Sequence, residues 1–342
     1  MKRKSYLLLA GVALMSAFTA CSNEDEMKTV AQAEGTPLVV QSVGVDLVST
    51  KAGIREAAFT NGEKIGVYIY TGAQGTLSGD YNTASSTIPT VNVPYTQNSP
   101  WSATQPIILS STKGVVYGYY PYSESAGNGS AVPVNVAATQ GTGQSDGKKD
   151  VDGQPDYMYA TATADVSNKA ATIASMTMNH ALAMLTFKFV NSTGNDKYPG
   201  EGKVSNITIA NLNTNKIVAT GAGTMNIATG KAAPTAAASD QTITVSPSTT
   251  TALMGASSEN LFPRMLVYPV DAIGANQAEI QVTVDGNNYK LNIPALPGGW
   301  VKGKNYVYTL TLKGTALVIT NVAITPWGEE VGGAGDLQTP IS

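Results

Sequence analysis

The stretch "NYVYTLTLKGTALVITNVAITPW" (residues 305–327) alternates apolar and polar side chains on both sides of a Lys-Gly pair. Before this pair, the alternate positions expected on one face of the strand are Tyr306, Tyr308, Leu310 and Leu312. After it, the residues expected to return on one face are Val318, Thr320, Val322 and Ile324. Because successive residues of a β-strand point to opposite faces of a sheet, this pattern predicts an antiparallel hairpin that turns at Lys313-Gly314.

The same alternation recurs elsewhere in the chain. In "AEIQVTVDGNNYKLNIPAL" (278–296), two alternating runs flank Asp285-Gly286, a dipeptide typical of two-residue hairpin turns. Further predicted strands are "PLVVQSVGVDLVS" (37–49), "KIGVYIY" (64–70) and "GVVYGYYPYS" (114–123), and the second of these is expected to be half-buried. Gly, Ser, Thr, Asn and Val are abundant, and apolar residues rarely recur with the spacing of a helix. The sequence therefore predicts an all-β fold.

Polar and Gly-rich stretches divide the chain. The low-complexity stretch 124–155 is expected to run over the surface, and its acidic part "KKDVDGQPD" (148–156) lacks the full ligand pattern of a calcium loop. The polar run "NSTGNDKYPGEGK" follows an apolar segment and marks a predicted domain boundary. Residues 37–195 are predicted to form an N-terminal domain and residues 196–342 a C-terminal domain, which are ordinary domain sizes.

The N-terminus has the three parts of a secretory signal: basic residues 2–4, the apolar run 6–18, and small Ala20. Residues 1–20 are therefore predicted to be removed, because the apolar run is too short for a mature membrane helix. The exit before Cys21 resembles the lipobox of bacterial lipoproteins, in which the cysteine becomes acylated; an ordinary signal peptide with an incidental cysteine is the alternative. Residues 21–36 are predicted to be a flexible tether.

Composition excludes several classes of function. Charged residues are 13% of the chain and the net charge is -3, so the sequence has no basic footprint for nucleic acid. Cys21 and His180 are the single cysteine and the single histidine, and Cys21 is expected to carry lipid. We therefore do not expect a Ser-His-Asp site, a Cys-His site or a His-rich metal site. No pair of carboxylates stands out for acid-base chemistry. We expect a non-enzymatic protein with no catalytic residues, no metal site and no cofactor.

Six motifs occur in order along the chain: "AFTNGEKIGVYIY", "YGYYPYS", "DYMYATA", "NHALAMLTFKF", "GGWVKGKNYVYTLTL" and "VAITPW". Together they resemble the fimbrillins of Bacteroides-type bacteria, the lipoprotein pilins of type V pili. The resemblance implies two β-sandwich-like domains in tandem, each with transthyretin-like topology. It also implies an outer-membrane lipoprotein that faces the cell surface, held by lipid on Cys21, and the acids at 24–26 resemble the surface-export signal of such lipoproteins. A solvated tether is the alternative for these acids.

The resemblance further implies that a trypsin-like surface protease releases the first strand and that a strand from another pilin subunit replaces it. Subunits would join head to tail in a fimbrium that supports adhesion. We expect cleavage between Arg55 and Glu56, with Lys51 as the alternative site, because this linker follows the first strand, predicted at 38–48. An uncut linker is the alternative. The expected donor strand is 317–327 with the tail beyond it, and its groove-facing residues are Val318, Val322 and Ile324. Pairing of this strand within its own sheet is the alternative.

A second function shares most of these features. A glycan-binding outer-membrane lipoprotein of a polysaccharide uptake system would keep both ends of the chain and use exposed aromatic rings. Trp101, Trp300 and Trp327 are candidates for stacking on sugars, although aromatic rings at strand ends are more often buried in cores. The tyrosines 117, 119, 120 and 122 are expected at the sheet surface and the core rim, and His180 is expected to pack or to hydrogen-bond.

Overall fold

The computed structural model describes residues 35–45, 59–81, 89–141, 154–247 and 262–327, and the backbone of 337–339. The predicted signal peptide, Cys21, the candidate cleavage residues Lys51, Arg55 and Glu56, and most of the predicted tether lie outside the described residues. Within the described part of the chain, no helix has the length and apolar character needed to cross a membrane.

The described secondary structure is almost entirely β. In the first half the strands are β1 (Thr36–Pro37), β2 (Val39–Val40), β3 (Val43–Val45), β4 (Lys64–Tyr70), β5 (Val93–Thr96), β6 (Ile108–Leu109), β7 (Gly114–Tyr120), β8 (Val132–Val136), β9 (Met158–Ala160), β10 (Thr163–Val166), β11 (Thr172–Ile173) and β12 (Met176–His180). In the second half they are β13 (Ala183–Asn191), β14 (Val204–Asn211), β15 (Gly221–Asn226), β16 (Lys231–Pro234), β17 (Thr242–Val245), β18 (Arg264–Val267), β19 (Ala278–Val284), β20 (Asn287–Asn292), β21 (Lys304–Lys313), β22 (Ala316–Pro326) and β23 (Leu337–Thr339). Short 3-10 helices span Gly129–Ala131 and Gly194–Asp196. The all-β prediction is confirmed.

A seven-stranded sheet dominates the first half, in the order β3-β12-β9-β7-β4-β5 with β10 also paired to β7. Its strand β4 alternates between two buried faces. Ile65, Val67 and Ile69 enter a first core that lies within residues 38–178, whereas Tyr68 and Tyr70 enter a second core that extends into the second half. The prediction that "KIGVYIY" is half-buried is therefore wrong, because both faces of this strand are covered.

Three further sheets, built mostly from strands of the second half, contribute to the second core together with β4 and β7 of the seven-stranded sheet. Their orders are β18-β13-β21-β22-β23, β17-β14-β19-β20 and β16-β15-β8. The packing of sheets around this core is that of a β-sandwich. Strand β8 lies inside the stretch 124–155 that was expected at the surface, yet its Val132, Val134 and Val136 are buried. That expectation is wrong for β8 because the strand pairs with β15 and contributes alternate side chains to the core.

Strand β13 bears on the predicted domain boundary at 195. It pairs with β18 on one side and with β21 on the other, and both partners follow residue 195. The last strand before the boundary thus belongs to a sheet whose other members come from the C-terminal part. The division into 37–195 and 196–342 remains a prediction.

The hairpin of β19 and β20 forms as expected. Val284 pairs with Asn287, so Asp285 and Gly286 make a two-residue turn, and their φ values of 46° and 80° are those of a type I′ turn. Positive φ at both positions explains the Asp-Gly dipeptide, because glycine adopts this region freely and aspartate tolerates it.

The hairpin of β21 and β22 differs from its prediction in two ways. The turn is Gly314-Thr315, one residue later than expected, because Lys313 pairs with Ala316. A β-bulge also places Thr320 between the paired residues Ile319 and Asn321. The extra residue reverses the alternation, so the face of Tyr306 to Leu312 is continued by Leu317, Ile319, Val322 and Ile324. The expectation that Val318 shares a face with Val322 and Ile324 is therefore wrong.

The turn residue Asp285 also organises the loop before β14. Its carboxylate accepts hydrogen bonds from the Tyr198 hydroxyl at 2.9 Å, the Gly202 N–H at 2.9 Å and the Lys203 N–H at 2.8 Å. Desolvation alone would raise the pKa of this carboxyl. The hydrogen bonds from Gly202, Lys203 and Tyr198 outweigh it and hold the pKa of Asp285 below its usual value.

Replacing Asp285 with Asn should make the protein less sensitive to acid. Since the folded-state pKa is lowered, the carboxylate stabilises the fold above about pH 4, the unfolded value, and this contribution is lost as pH falls through the folded pKa. Thermal unfolding between about pH 6 and about pH 2 should show a smaller loss of Tm for Asp285→Asn than for the unmodified chain. The exposed Asp165, paired with Lys113, provides the control substitution Asp165→Asn. Equal acid profiles for all three proteins would contradict the prediction.

Candidate functional site

Residues 36–45, called here the first strand, lie between segments from distant parts of the chain. On one side β1 pairs antiparallel with β6, and the Leu38 N–H donates to the Ile107 carbonyl at 2.8 Å. On the other side β2 and β3 pair parallel with β11 and β12, and the Val39 N–H donates to the Ala171 carbonyl at 2.8 Å. The first strand is thus an inserted segment with hydrogen-bonded neighbours on both edges.

Two side chains of the first strand fill the first core. Leu38 and Val40 are 2% and 0% exposed, whereas Gln41 on the opposite parity is exposed. The residues that surround them, called here the first-strand groove, are Tyr95, Trp101, Ile107, Leu109, Ile173 and Met176. The Trp101 N–H donates to the Val40 carbonyl at 3.2 Å, and the Tyr95 hydroxyl donates to the Leu38 carbonyl at 3.1 Å.

The energetics of this insertion follow from its geometry. A fully buried aliphatic side chain contributes roughly 1.5–3 kcal/mol, so Leu38 and Val40 together hold the first strand by several kcal/mol. Its pairings are brief, because β1 and β2 have two residues each and β3 has three. Removal of this segment would leave an apolar groove between two open strand edges, a site that only another extended segment fills with matching hydrogen bonds.

The two C-terminal strands, β22 and β23, differ in how many residues of neighbouring strands they pair with. β22 pairs with β21 along its whole length, from Ala316 opposite Lys313 to Pro326 opposite Lys304. Among the described residues, β23 pairs only with residues 322–324 of β22 and forms the edge of its sheet. The predicted donor 317–327 is therefore an internal strand of its own sheet, whereas β23, which belongs to the tail beyond it, has one neighbour.

A buried cluster lies where the tail begins. The Nδ1 atom of His180 is 2.6 Å from Oδ2 of Asp156, and the imidazole stacks on the indole of Trp327 with ring centroids 4.1 Å apart. His180 ends β12, the strand that also pairs with β3. The expected packing and hydrogen-bonding role of His180 is borne out by these contacts. One strand thus touches both the first strand and the start of the tail.

The aromatic residues considered for sugar binding are mostly internal. Trp101 and Trp300 are 5% and 0% exposed, and the Trp300 Nε1–H donates to the Tyr308 hydroxyl at 3.0 Å. Tyr117 and Tyr119 are fully buried, so they lie in the core and not at its rim as expected. Burial raises the pKa of Tyr119 to about 12, so its hydroxyl stays neutral and donates to Asn92. Such rings do not form exposed platforms.

Parts of the groove carried no sequence signal. The two-residue strands β6 and β11 are too short for alternation to reveal them, and the pairing of Val40 with Trp101 uses backbone groups that every residue possesses. Within the described residues, no group of three or more His, Cys, Asp or Glu side chains could hold a metal ion.

The architecture and the groove define an all-β sandwich protein whose first strand is an inserted segment. The chain belongs to the fimbrillin-like family, whose sequence model matches residues 50–327. This confirms the resemblance inferred from the six motifs. The family is one of structural fimbrial proteins and not of enzymes. No relative was found among curated proteins.

Solved structures share this fold. A protein described as a cell adhesion protein from Bacteroides ovatus has a TM-score of 0.62 at 16% identity, over 87% of this chain and 99% of that chain. A second one, from Bacteroides uniformis, has a TM-score of 0.56 at 19% identity, over 85% and 99% of the two chains. A fimbrial protein from Bacteroides vulgatus has a TM-score of 0.50 at 14% identity, over 83% and 99%. At these identities the likeness establishes the fold alone.

Proposed function

We propose that this chain is the precursor of a fimbrial subunit that assembles by exchange of its first strand. The observation that carries the proposal is the insertion of residues 36–45 between β6 and the strands β11 and β12, with both edges hydrogen-bonded. A polymerising subunit needs a groove that accepts an extended segment from a neighbour, and the first-strand groove has apolar side chains and backbone partners for one. Subunits joined in this way form an open head-to-tail polymer.

Release of the first strand requires a cut in the chain after it. Hydrolysis of the peptide bond between Arg55 and Glu56 would separate residues 36–45 from the rest, and Lys51 is the alternative site. The chain has one other arginine beyond the signal, Arg264, which begins β18 and pairs with Thr186. A protease selective for arginine would therefore meet Arg264 within a paired strand, where it is a poor substrate.

We propose that the tail containing β23 supplies the donor strand. β23 is held by one neighbour along three residues, whereas transfer of β22 would break its pairing with β21 and expose Val322 and Ala323 of the core. This assigns the predicted donor 317–327, with Val318, Val322 and Ile324, to the body of the subunit, and keeps the tail beyond it as the transferable part. In the assembled polymer, each tail would occupy the groove of the next subunit.

The precursor is proposed to reach its site of assembly as a lipoprotein. Acylation of Cys21 would hold it at the outer face of the outer membrane, since several acyl chains on one residue give stable anchoring. Cleavage by a trypsin-like surface protease would then free the processed subunit from its lipid and place it in the fimbrium. The partners of this route are membrane lipid, that protease and other pilin subunits, and it involves no nucleic acid.

N-terminal sequencing and intact mass of the protein recovered from its native host test this proposal. The processed chain should begin at Glu56 without lipid, and the precursor at acylated Cys21. The variant Arg55→Ala should retain the first strand and remain unpolymerised, because the groove stays filled. The control Lys51→Ala should be processed normally. A polymer whose subunits all begin at Cys21 would refute strand exchange and leave an anchored surface protein.

A further inference from the structure

A buried glutamine occupies the open edge of strand β18. The Phe187 N–H of β13 donates to the Pro263 carbonyl, so the backbone of Pro263 faces β13. Because this direction alternates from residue to residue along a strand, the N–H and carbonyl of Leu266, three residues later, point away from β13. The side chain of Gln140 meets them: its Oε1 accepts from the Leu266 N–H and its Nε2 donates to the Leu266 carbonyl, both at 2.8 Å. Gln140 is 0% exposed. Its primary amide thus takes the place that a residue of an added strand would take.

A second buried glutamine does the same at strand β8. Residues 133, 135 and 137 direct their backbone groups away from β15. Pro133 has no N–H, so the groups left on this edge include the Asn135 carbonyl and the Ala137 N–H. The Oε1 atom of Gln154 accepts from the Ala137 N–H at 2.7 Å, and its Nε2 donates to the Asn135 carbonyl at 3.0 Å. Gln154 is 1% exposed. In the sequence, Gln140 and Gln154 stand before and after residues 142–153.

Other outer strands use different means to the same end. In β5, the Thr96 N–H points away from β4 and donates to the Ser102 carbonyl, so the backbone of Pro94, two residues earlier, also faces outward. In β16, the Thr235 N–H points inward and donates to the Ala222 carbonyl, so the backbone of the preceding Pro234 faces outward. A proline at such a position removes the donor that an incoming strand would need. The outer edge of β17 is covered by the backbone around Gln140, whose N–H donates to the Thr244 carbonyl at 2.9 Å.

We propose that Gln140 and Gln154 contribute to the specificity of assembly by closing the strand edges of β18 and β8, so that extended segments of other subunits do not add at these two edges. The inference rests on the proposed function, because in a chain that polymerises by strand addition any other open strand edge could pair with the wrong segment of a neighbouring subunit. A neutral primary amide suits this task, since it offers one acceptor and one donor pair without burying a charge.

The test is the self-association of the full chain carrying Cys21→Ala and Arg55→Ala, so that neither lipid nor loss of the first strand contributes. In this background Gln140→Ala leaves the N–H and carbonyl of Leu266 unpaired, and pairing with a second copy restores their hydrogen bonds. Analytical ultracentrifugation well below the melting temperature should show an association constant raised roughly ten- to a hundredfold. Amide hydrogen exchange should report faster exchange of Leu266 in the monomer and protection in the oligomer.

The matched control is Val245→Ala, which removes a buried side chain of β17 and leaves the edges of β18 and β8 closed. If this variant associates as strongly as Gln140→Ala at equal loss of Tm, general destabilisation explains the effect and the proposal is overturned. Gln140→Met preserves the bulk of the buried side chain while removing both hydrogen bonds, and Gln154→Ala opens β8 instead. A folded, monomeric form of either variant also overturns the proposal. Cleavage at Arg55 is tested separately, so its failure is distinguishable from this one.

Discussion

Replacing Val40 with Asp is expected to lower the free energy of unfolding of the uncleaved chain by about 4 kcal/mol, because a carboxylate would enter a fully buried position of the first core. Val40 is 0% exposed and lies between Ile173 and Trp101. Denaturant unfolding monitored by tryptophan fluorescence measures the loss. The same change should speed the departure of the first strand after cleavage, so that processed variant chains polymerise faster than unmodified ones.

The neighbouring residue provides a matched control for this prediction. Gln41 is exposed, so Gln41→Asp introduces the same charge one position away on the solvent side of the same segment. We expect its free energy of unfolding to change by less than about 0.5 kcal/mol. Equal effects of the two substitutions would mean that the first strand is not seated in the groove, and strand exchange at this site would lose its structural basis.

Removing residues 328–342 should abolish polymerisation while leaving the fold intact. The chain would then end at Trp327, retaining β22 and its complete pairing with β21 but lacking β23. Since β23 pairs only with the residues 322–324, its loss should cost no more than about 1–2 kcal/mol of stability. The processed truncated chain should still accept a tail from an unmodified subunit, so it should cap growing polymers when the two are mixed. Electron microscopy and detergent-resistant ladders on gels report both effects.

A chain in which a Gly-Ser linker of equal length replaces residues 328–336 is the control for the truncation. It preserves β23 and the reach of the tail, and we expect it to polymerise. Polymers formed by the truncated chain would contradict the tail as donor and return that role to 317–327, as the sequence pattern suggested. That result would still be compatible with release of the first strand at Arg55.

Local rules were sufficient for part of the fold. The turn at Asp285-Gly286 was predictable because a type I′ turn requires positive φ at both positions, and few dipeptides satisfy this. The hairpin of β21 and β22 was predictable as an element, but the bulge at Thr320 was not, and it turned Val318 to the other face. A single inserted residue reverses every later side chain, so a donor face inferred from alternation fails without the register.

The candidate site was predictable only at its ends. The sequence located an early strand and a late strand, because these depend on hydrophobic periodicity, whereas the cleavage site at the linker residue Arg55 stays a prediction. It did not reveal that Trp101, β6 and β11 hold the first strand, or that Gln140 and Gln154 close other edges. These contacts are made by backbone groups and neutral amides, which carry no distinctive pattern in a Gly-, Ser- and Thr-rich chain.

The amino-acid sequence alone determined the strand-forming segments, the all-β class, the scarcity of residues for catalysis and the resemblance to fimbrillins, because period-two alternation and composition are properties of neighbouring residues. Only the tertiary structure decided which strands are neighbours and which faces are covered. Alternation shows that a strand has two faces, but β4 has a core on each and β8 joins a sheet far along the chain. Pairing between distant segments depends on which complete arrangement buries the most apolar surface while satisfying every backbone group, and that is a property of the whole chain.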